Sequence, residues 1–305
     1  MHAAVLTAFL FALTGICATQ ASRLLGAARA NSWRLLVALS LFTVWFLLWG
    51  EPWGESLTLW FFLAGGIGFG LGGFCMFQAL RRIGSTLSLL VVESGATLFT
   101  LLLAWGFLGQ SLAPSEGLWV VCILGGIFLG MTPGPLPSLS FQIVRTGVLL
   151  ALLAAFFQSI SFTLSRYAFT LLAEQDLSLH PLAAAHQRLL GGAAVALFLW
   201  VLVRQLRKPP TGNTTNKTVR QIPSSPLPAP LWVFLNALFG PVLGVSCLLW
   251  AISLVPNPGL VQAVAATATL LTIPPAMILE KARPGFRYYA GALLALTGVT
   301  GLLLG

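Results

Sequence analysis

The chain states one pattern twice. Residues 1–131 and 147–305 each hold five hydrophobic spans, with matching landmarks in the same order on either side of a Pro/Gly-rich connector over 132–146 that contains TPGPLPS. ASRLL from Ala21 answers LSRYA from Leu164, and SWRLL from Ser32 answers HQRLL from His186. FLGQ over 107–110 answers MILE over 277–280, and each is followed by a polar turn and a Gly-rich closing span. An odd number of spans per copy forces the second copy to insert upside down relative to the first. Inverted repeats of this kind are the usual plan of secondary transporters, with a substrate site near the bilayer midplane where the copies meet.

Composition agrees with a membrane solvent. The chain is 57% hydrophobic and 8% charged, with mean hydropathy +0.92, whereas soluble domains carry about 25% charged residues. A helix needs about 20 apolar residues to cross roughly 30 Å of hydrocarbon. Spans are expected near 3–22, 33–49, 58–80, 84–107, 117–131, 147–171, 182–203, 230–254, 259–279 and 287–304. The runs are continuous rather than alternating, so an all-α integral membrane bundle is expected, not a barrel: ten transmembrane helices as two inverted five-helix repeats. The first span is expected to be retained, because Met1-His2 lacks the basic residues of a signal peptide and the span has a partner in the second copy. Cys17, Cys75, Cys122 and Cys247 lie within spans at unrelated spacings, which indicates neither a disulfide framework nor a metal site.

The net charge of +9 invites a nucleic-acid partner, but its distribution excludes one. Arg23, Arg29, Arg81, Arg82, Arg145, Arg204 and the basic residues over 207–220 and 281–287 all fall in odd-numbered loops. Even-numbered loops carry Glu51, Glu55, Glu116, Glu174 and Asp176 instead. By the positive-inside rule both termini lie outside the cytoplasm and the linker over 204–230 lies inside. A cell membrane, plasma or inner, is the expected location. The threonines after Asn213 and Asn216 complete N-x-T sequences, which a cytoplasmic loop keeps from the glycosylation machinery.

Polar residues inside the spans mark candidate sites. Glu93 is the acidic residue deep in a span, near the midplane, where a charge costs at least a few kcal/mol. Thr86, Glu93, Thr97 and Thr100 follow at intervals of seven, four and three, one face of a helix. Gln262, Thr269 and Thr272 repeat the stripe in the second copy. Two opposed stripes would line a central cavity. A carboxyl there can hold a proton or a cationic substrate but not both, which is enough to build an antiporter. The competing account is a carboxyl that merely glues helices together. In the sixth span Gln158, Ser161 and Ser165 form a second stripe, bounded by Phe156, Phe157 and Phe162, as in a small-molecule site; interhelical hydrogen bonding explains it equally well. Arg166 and Arg188 lie toward one end of their spans with Glu174 and Asp176 in the loop between. They read as snorkelling ion pairs or as a gate or anion contact. His180 and His186 sit beside them without further metal ligands. Pro241 and the Pro274-Pro275 pair should bend the eighth and ninth spans, and the GxxxG pairs over 66–72 and 126–130 should let neighbouring helices approach closely.

The repeated landmarks resemble the EamA-type transporters of the drug/metabolite transporter superfamily. Arg34 and Arg188 open the second span of each copy, LGQ and ILE end the fourth, and the closing helices read GLWVVCILGGIFLG and AGALLALTGVTGLLLG. The chain departs from the family pattern at Gln110, where an acid is usual, and in the orientation its loop charges imply.

The resemblance implies a secondary active transporter exporting small metabolites, amino acids or drug-like molecules by alternating access, and the depth of Glu93 adds proton coupling to that expectation. An uncoupled facilitator of the same fold is the alternative. An intramembrane enzyme is poorly supplied: HExxH, GxSxG, HxxxxD and DxD are absent, as is a GxxxxGK[ST] loop for ATP. A membrane protein without transport would leave the polar stripes without a purpose. No cofactor is expected. The expected partners are a small molecule, a proton and the lipid bilayer. Ten spans can enclose a site without a second copy, so a monomer is expected.

Overall fold

The computed structural model describes residues 1–49, 59–131, 140–206, 227–274 and 285–304. Most of the connector and the basic linker, Pro275, and the MILE landmark lie outside the described residues. The helices are α1 (His2–Leu25), α2 (Ala27–Trp49), α3 (Leu59–Gly65), a first π-helix (Gly66–Gly72), α4 (Gly73–Leu108), α5 (Pro114–Gly130), α6 (Phe141–Glu174) and α7 (Pro181–Leu206). They continue with α8 (Ala229–Ala237), a second π-helix (Leu238–Gly244), α9 (Val245–Leu254), α10 (Pro258–Ala266), α11 (Ala268–Leu271) and α12 (Phe286–Leu304). Among the described residues there are no strands. The protein is an all-α, multi-span membrane fold. Seven helical stretches are long and apolar enough to cross a membrane, and Pro114–Gly130 and Pro258–Leu271 are shorter apolar helices.

The stretch Leu59–Leu108 runs for 50 residues, which is about 75 Å of straight helix and more than twice the hydrocarbon core. Gly84 divides it. Its φ of 79° and ψ of 175° suit only a residue without a Cβ. Ala79 and Val92, on either side of that break, pack into one cluster with Ala151 and Ala154 of α6, so the two halves fold back on each other. Gly26, at φ 86°, turns α1 into α2 in the same way, with no other loop residue. A Cβ on Gly26 would lie 3.8 Å from the Arg81 guanidinium. A Cβ on Gly147, near the start of α6, would press on Ile83. The turns after α1 and at Gly84 and the start of α6 thus meet at one end of the bundle, bringing Arg23, Arg29, Arg81, Arg82 and Arg145 together there.

Packing pairs exchange when the copies are exchanged. α1 packs on α8, the second π-helix and α9, while its counterpart α6 packs on α3 and the first π-helix. α3 meets α7 as α8 meets α2, and α2–α7, α4–α10 and α5–α12 are each their own counterparts. The contacts depend on small residues, as expected where lipid offers no hydrophobic drive between helices. Gly65 and Gly191 allow α3 and α7 to touch backbone to backbone, since a Cβ on either would overlap the Arg188 or Phe62 carbonyl. Gly126 and Gly291 do the same for α5 and α12. Large apolar side chains such as Leu47, Trp49, Leu102, Phe107 and Leu293 point outward, the arrangement a lipid solvent favours.

The two π-helices occupy equivalent places in the third and eighth spans. GIGFGLG and LFGPVLG supply the cause, because glycines weaken the helix and Pro241 lacks the N–H that would hold α register. The bend expected at Pro274-Pro275 falls at the edge of the described residues, with Pro275 outside them, and irregularity begins upstream of it. The ninth span is interrupted at Thr267 and Thr272, where hydroxyls turn back onto Val264 O at 2.7 Å and Thr269 O at 2.6 Å. Pro274 cannot donate to Leu270 O, and that carbonyl instead accepts from the Tyr288 hydroxyl at 3.5 Å.

Candidate functional site

The helix irregularities surround a cavity of about 750 Å³, its open mouth included. Its walls come from every span except the fifth and tenth, which pack against each other. Phe11, Thr14 and Gly15 of α1 face Gly240 and Pro241 of the second π-helix, and Gly68, Phe69 and Gly72 of the first π-helix close another side. Leu89 and Glu93 of α4, Gln158 and Phe162 of α6, and Ala268, Thr269 and Thr272 complete most of the lining. Arg34 of α2 and Arg188 of α7 reach in from opposite copies. The lining is mainly apolar with a few convergent polar groups, the composition of a small-molecule site.

Glu93 is 5% exposed, and its Oε2 accepts from Gln262 Nε2 at 2.9 Å. The two polar stripes therefore meet, but by direct contact between α4 and α10 rather than across an open space. Glu93, Thr269 and Thr272 line the cavity, whereas Gln262 is fully buried behind Glu93. Thr97 and Thr100 lie in helix packing away from the cavity. The Thr97 hydroxyl donates to Glu93 O at 2.9 Å, and Thr100 Oγ1 has no partner. Thr86 is exposed and leaves the stripe altogether. Helical spacing identified a face, but the turn at Gly84 sets which part of that face is inside.

In α6, Gln158 lines the cavity. Ser161 stands one layer back: its Oγ donates to Ala64 O at 2.6 Å and accepts from Arg188 Nη2 at 2.7 Å. Ser165 donates to Ser161 O at 2.7 Å and contributes nothing to the lining. The two arginines of the expected gate part company. Arg188 is 1% exposed in the cavity wall, 5.3 Å over the Phe69 ring and 5.6 Å from Phe162. Arg166 lies outside it and does not pair with Glu174 or Asp176. Its Nη1 donates to Ile252 O and Ser253 O, both at 3.0 Å, at the end of α9. The last carbonyls of a helix lack intrahelical donors and carry partial negative charge, so they compete well with solvated loop acids. His186 packs its ring against Phe46 at 5.3 Å between centroids.

Arg34 was a landmark in the sequence rather than a site residue, yet it mirrors Arg188. It is 7% exposed, its Nε donates to Asn31 Oδ1 at 3.0 Å, and its guanidinium sits 4.8 Å over Phe77. Asn31 in turn donates to Phe69 O at 3.1 Å, in the first π-helix. Repetition of an arginine at the same point of each copy was the signal for it, since a charge within a span is costly unless it is used.

Comparisons with known proteins agree with this architecture. A solved crystal structure superposes with a TM-score of 0.69 at 19% identity, covering 99% of this chain and 95% of that one. At that identity the likeness concerns the fold. No curated protein sequence matches the chain. The model of the EamA-like transporter family matches residues 1–132 and again 145–304. Two matches that together span nearly the whole sequence place the chain in the EamA-like transporter family.

Proposed function

We propose that the protein is a secondary active transporter that exports small metabolites, amino acids or drug-like molecules, moving them by alternating access around the cavity. Membership in a family of transporters supports the class. The observation that carries the mechanism is a titratable carboxyl, Glu93, in the wall of a cavity bounded by π-helices from both copies. π-Helical stretches recur at functional sites because a slipped hydrogen-bond ladder can shift register at low cost. Irregular backbone at membrane depth is tolerated where it lines a cavity. Glu93 takes up and releases a proton as the cavity changes sides, which couples transport to the proton gradient. The gathered arginines at the Gly84 end face the cytoplasm, which leaves both termini outside, in a cell membrane. The protein works as a monomer.

Reconstitution into liposomes with charge movement recorded on a solid-supported membrane tests this reading. Amino acids, cationic drugs and organic anions form the substrate set, and wild type is compared with Glu93→Gln. Currents that follow pH in the wild type and lose that dependence in the variant support proton coupling. Flux that is unchanged in Glu93→Gln removes the coupling role and leaves a facilitator. Absence of flux with the whole set would count against transport.

A further inference from the structure

Among the described residues the cavity wall holds two guanidiniums and one carboxyl, and the carboxyl pairs with neither. Glu93 is bonded to Gln262. Among the described residues Arg34 and Arg188 make side-chain hydrogen bonds only to the neutral groups of Asn31 and Ser161. Arg188 is 1% exposed, yet its Nε and Nη1 have no partner. An arginine this deep with unsatisfied donors is costly unless an anion completes it. The aromatic rings beneath both guanidiniums hold their planes without neutralising them.

The two heads approach the same segment of backbone. A Cβ placed on Gly68 would lie 3.7 Å from Arg188 Nη2, and one on Gly73 would lie 3.1 Å from Arg34 Nη2. Gly68 and Gly73 are five residues apart along the first π-helix and the start of α4, about 7 Å along the axis at helical rise. Both heads line the same cavity, so an oxyanion there can accept a charge-assisted bond of about 2.8 Å from either. A Cβ on Gly68 would overlap Ser161, which accepts from Arg188, and one on Gly73 would overlap Asn31, which accepts from Arg34, so both glycines leave room for the groups that hold the heads.

We propose that Arg34 and Arg188 together form an anion subsite, which takes the charged head of a small organic anion, a carboxylate or a phosphate monoester, and lays its apolar body against Phe162, Phe69 and Leu89. The proposal rests on the transport reading for its purpose and names the substrate class of the same site. It sets the head near one arginine from each copy, so that movement of one copy against the other would take hold of or release the anion. An anionic lipid headgroup carries the same chemistry, and the test separates the two sources.

Purified full-length protein in phosphatidylcholine nanodiscs is titrated with phenylacetate and phenyl phosphate, with phenylacetamide and phenethylamine as the neutral and cationic counterparts. At least one anion should bind about ten-fold or more tightly than both counterparts. Arg34→Gln and Arg188→Gln should each abolish that preference, and Arg188→Lys, which keeps the charge but not the fork, should retain part of it. Monodisperse elution and an unchanged helical spectrum identify variants that fold. Equal or tighter binding of phenethylamine overturns the proposal, as does unaltered anion preference in folded glutamine variants. Loss of anion binding in discs containing phosphatidylglycerol assigns the subsite to lipid headgroups and overturns the small-substrate source. Liposome flux measured in parallel keeps the two readings apart. Flux of phenethylamine unaffected by the arginine variants sustains transport and removes the subsite. Anion binding without flux of any compound sustains the subsite and removes transport.

Discussion

Glu93 and Gln262 meet from opposite copies, Gln262 fully buried and Glu93 5% exposed at the cavity wall. A carboxylate partnered by one amide is better off than a bare one, and truncating the amide leaves its buried oxygen to bear desolvation alone. Gln262→Leu is therefore expected to destabilise the fold by about 1–3 kcal/mol. In the Glu93→Gln background the same change should cost less, because an amide loses less than an ion does. Thermal unfolding of the four proteins in detergent gives this coupling directly, and strict additivity would show that the contact contributes nothing. The sequence made Glu93 conspicuous by its depth, and Gln262 was legible as its counterpart in the second copy. Thr97, Thr100, Ser161 and Ser165 do not line the cavity: Thr97 and Ser165 turn back onto carbonyls one turn earlier, Ser161 bonds across to Ala64 O, and Thr100 has no partner among the described residues. Their faces are set by rotation of the helix, which spacing along one helix does not report.

The elements owe their irregularities to glycine and proline at particular positions. Gly84 has no atom within 4 Å of where a Cβ would stand, so any penalty there is purely a matter of backbone conformation. Gly84→Ala should destabilise by about 1–3 kcal/mol. Gly106→Ala, in equally open space but within regular α4, should be neutral or stabilising by up to about 1 kcal/mol. Chemical or thermal denaturation of the pair distinguishes strain from crowding, and equal effects would dispose of the backbone account. Pro241 acts in the opposite sense. Pro241→Ala returns the missing N–H and should let the eighth span settle toward regular α-helix, raising the unfolding temperature while slowing transport several-fold. Turnover equal to wild type would mean that the π-helix shapes the cavity without flexing. Proline and glycine positions were visible in the sequence as points of bending. Whether a bend appears as a turn, as at Gly84, or as a slipped ladder, as at Pro241, depends on the helix packed alongside.

At the scale of the whole molecule, the charges and the turns share an end. If the arginines beside Gly26 and Gly84 face the cytoplasm, a thiol placed at Arg81 should resist a membrane-impermeant maleimide added to intact cells, and one placed at Ser178 should react. Both positions are exposed on the protein, so burial does not confuse the result. The assay needs a background without Cys17, Cys75, Cys122 and Cys247, all free thiols. The reverse labelling pattern would invert the topology and with it the direction assigned to export.

The sequence by itself determined that this chain is an all-α membrane protein, and its repeated landmarks and family resemblance pointed to the EamA-like transporters. Those properties are carried by hydropathy and by motifs repeated along the chain, both of which survive without knowledge of how the helices are arranged. Only the tertiary structure decided that Arg34 and Arg188 share one cavity, that Arg166 is tied to the end of α9, and which members of each polar stripe line that cavity. Those outcomes depend on how each helix is rotated about its axis and how closely its glycines let it approach. Contacts among distant segments set both, and no local pattern of residues encodes either one.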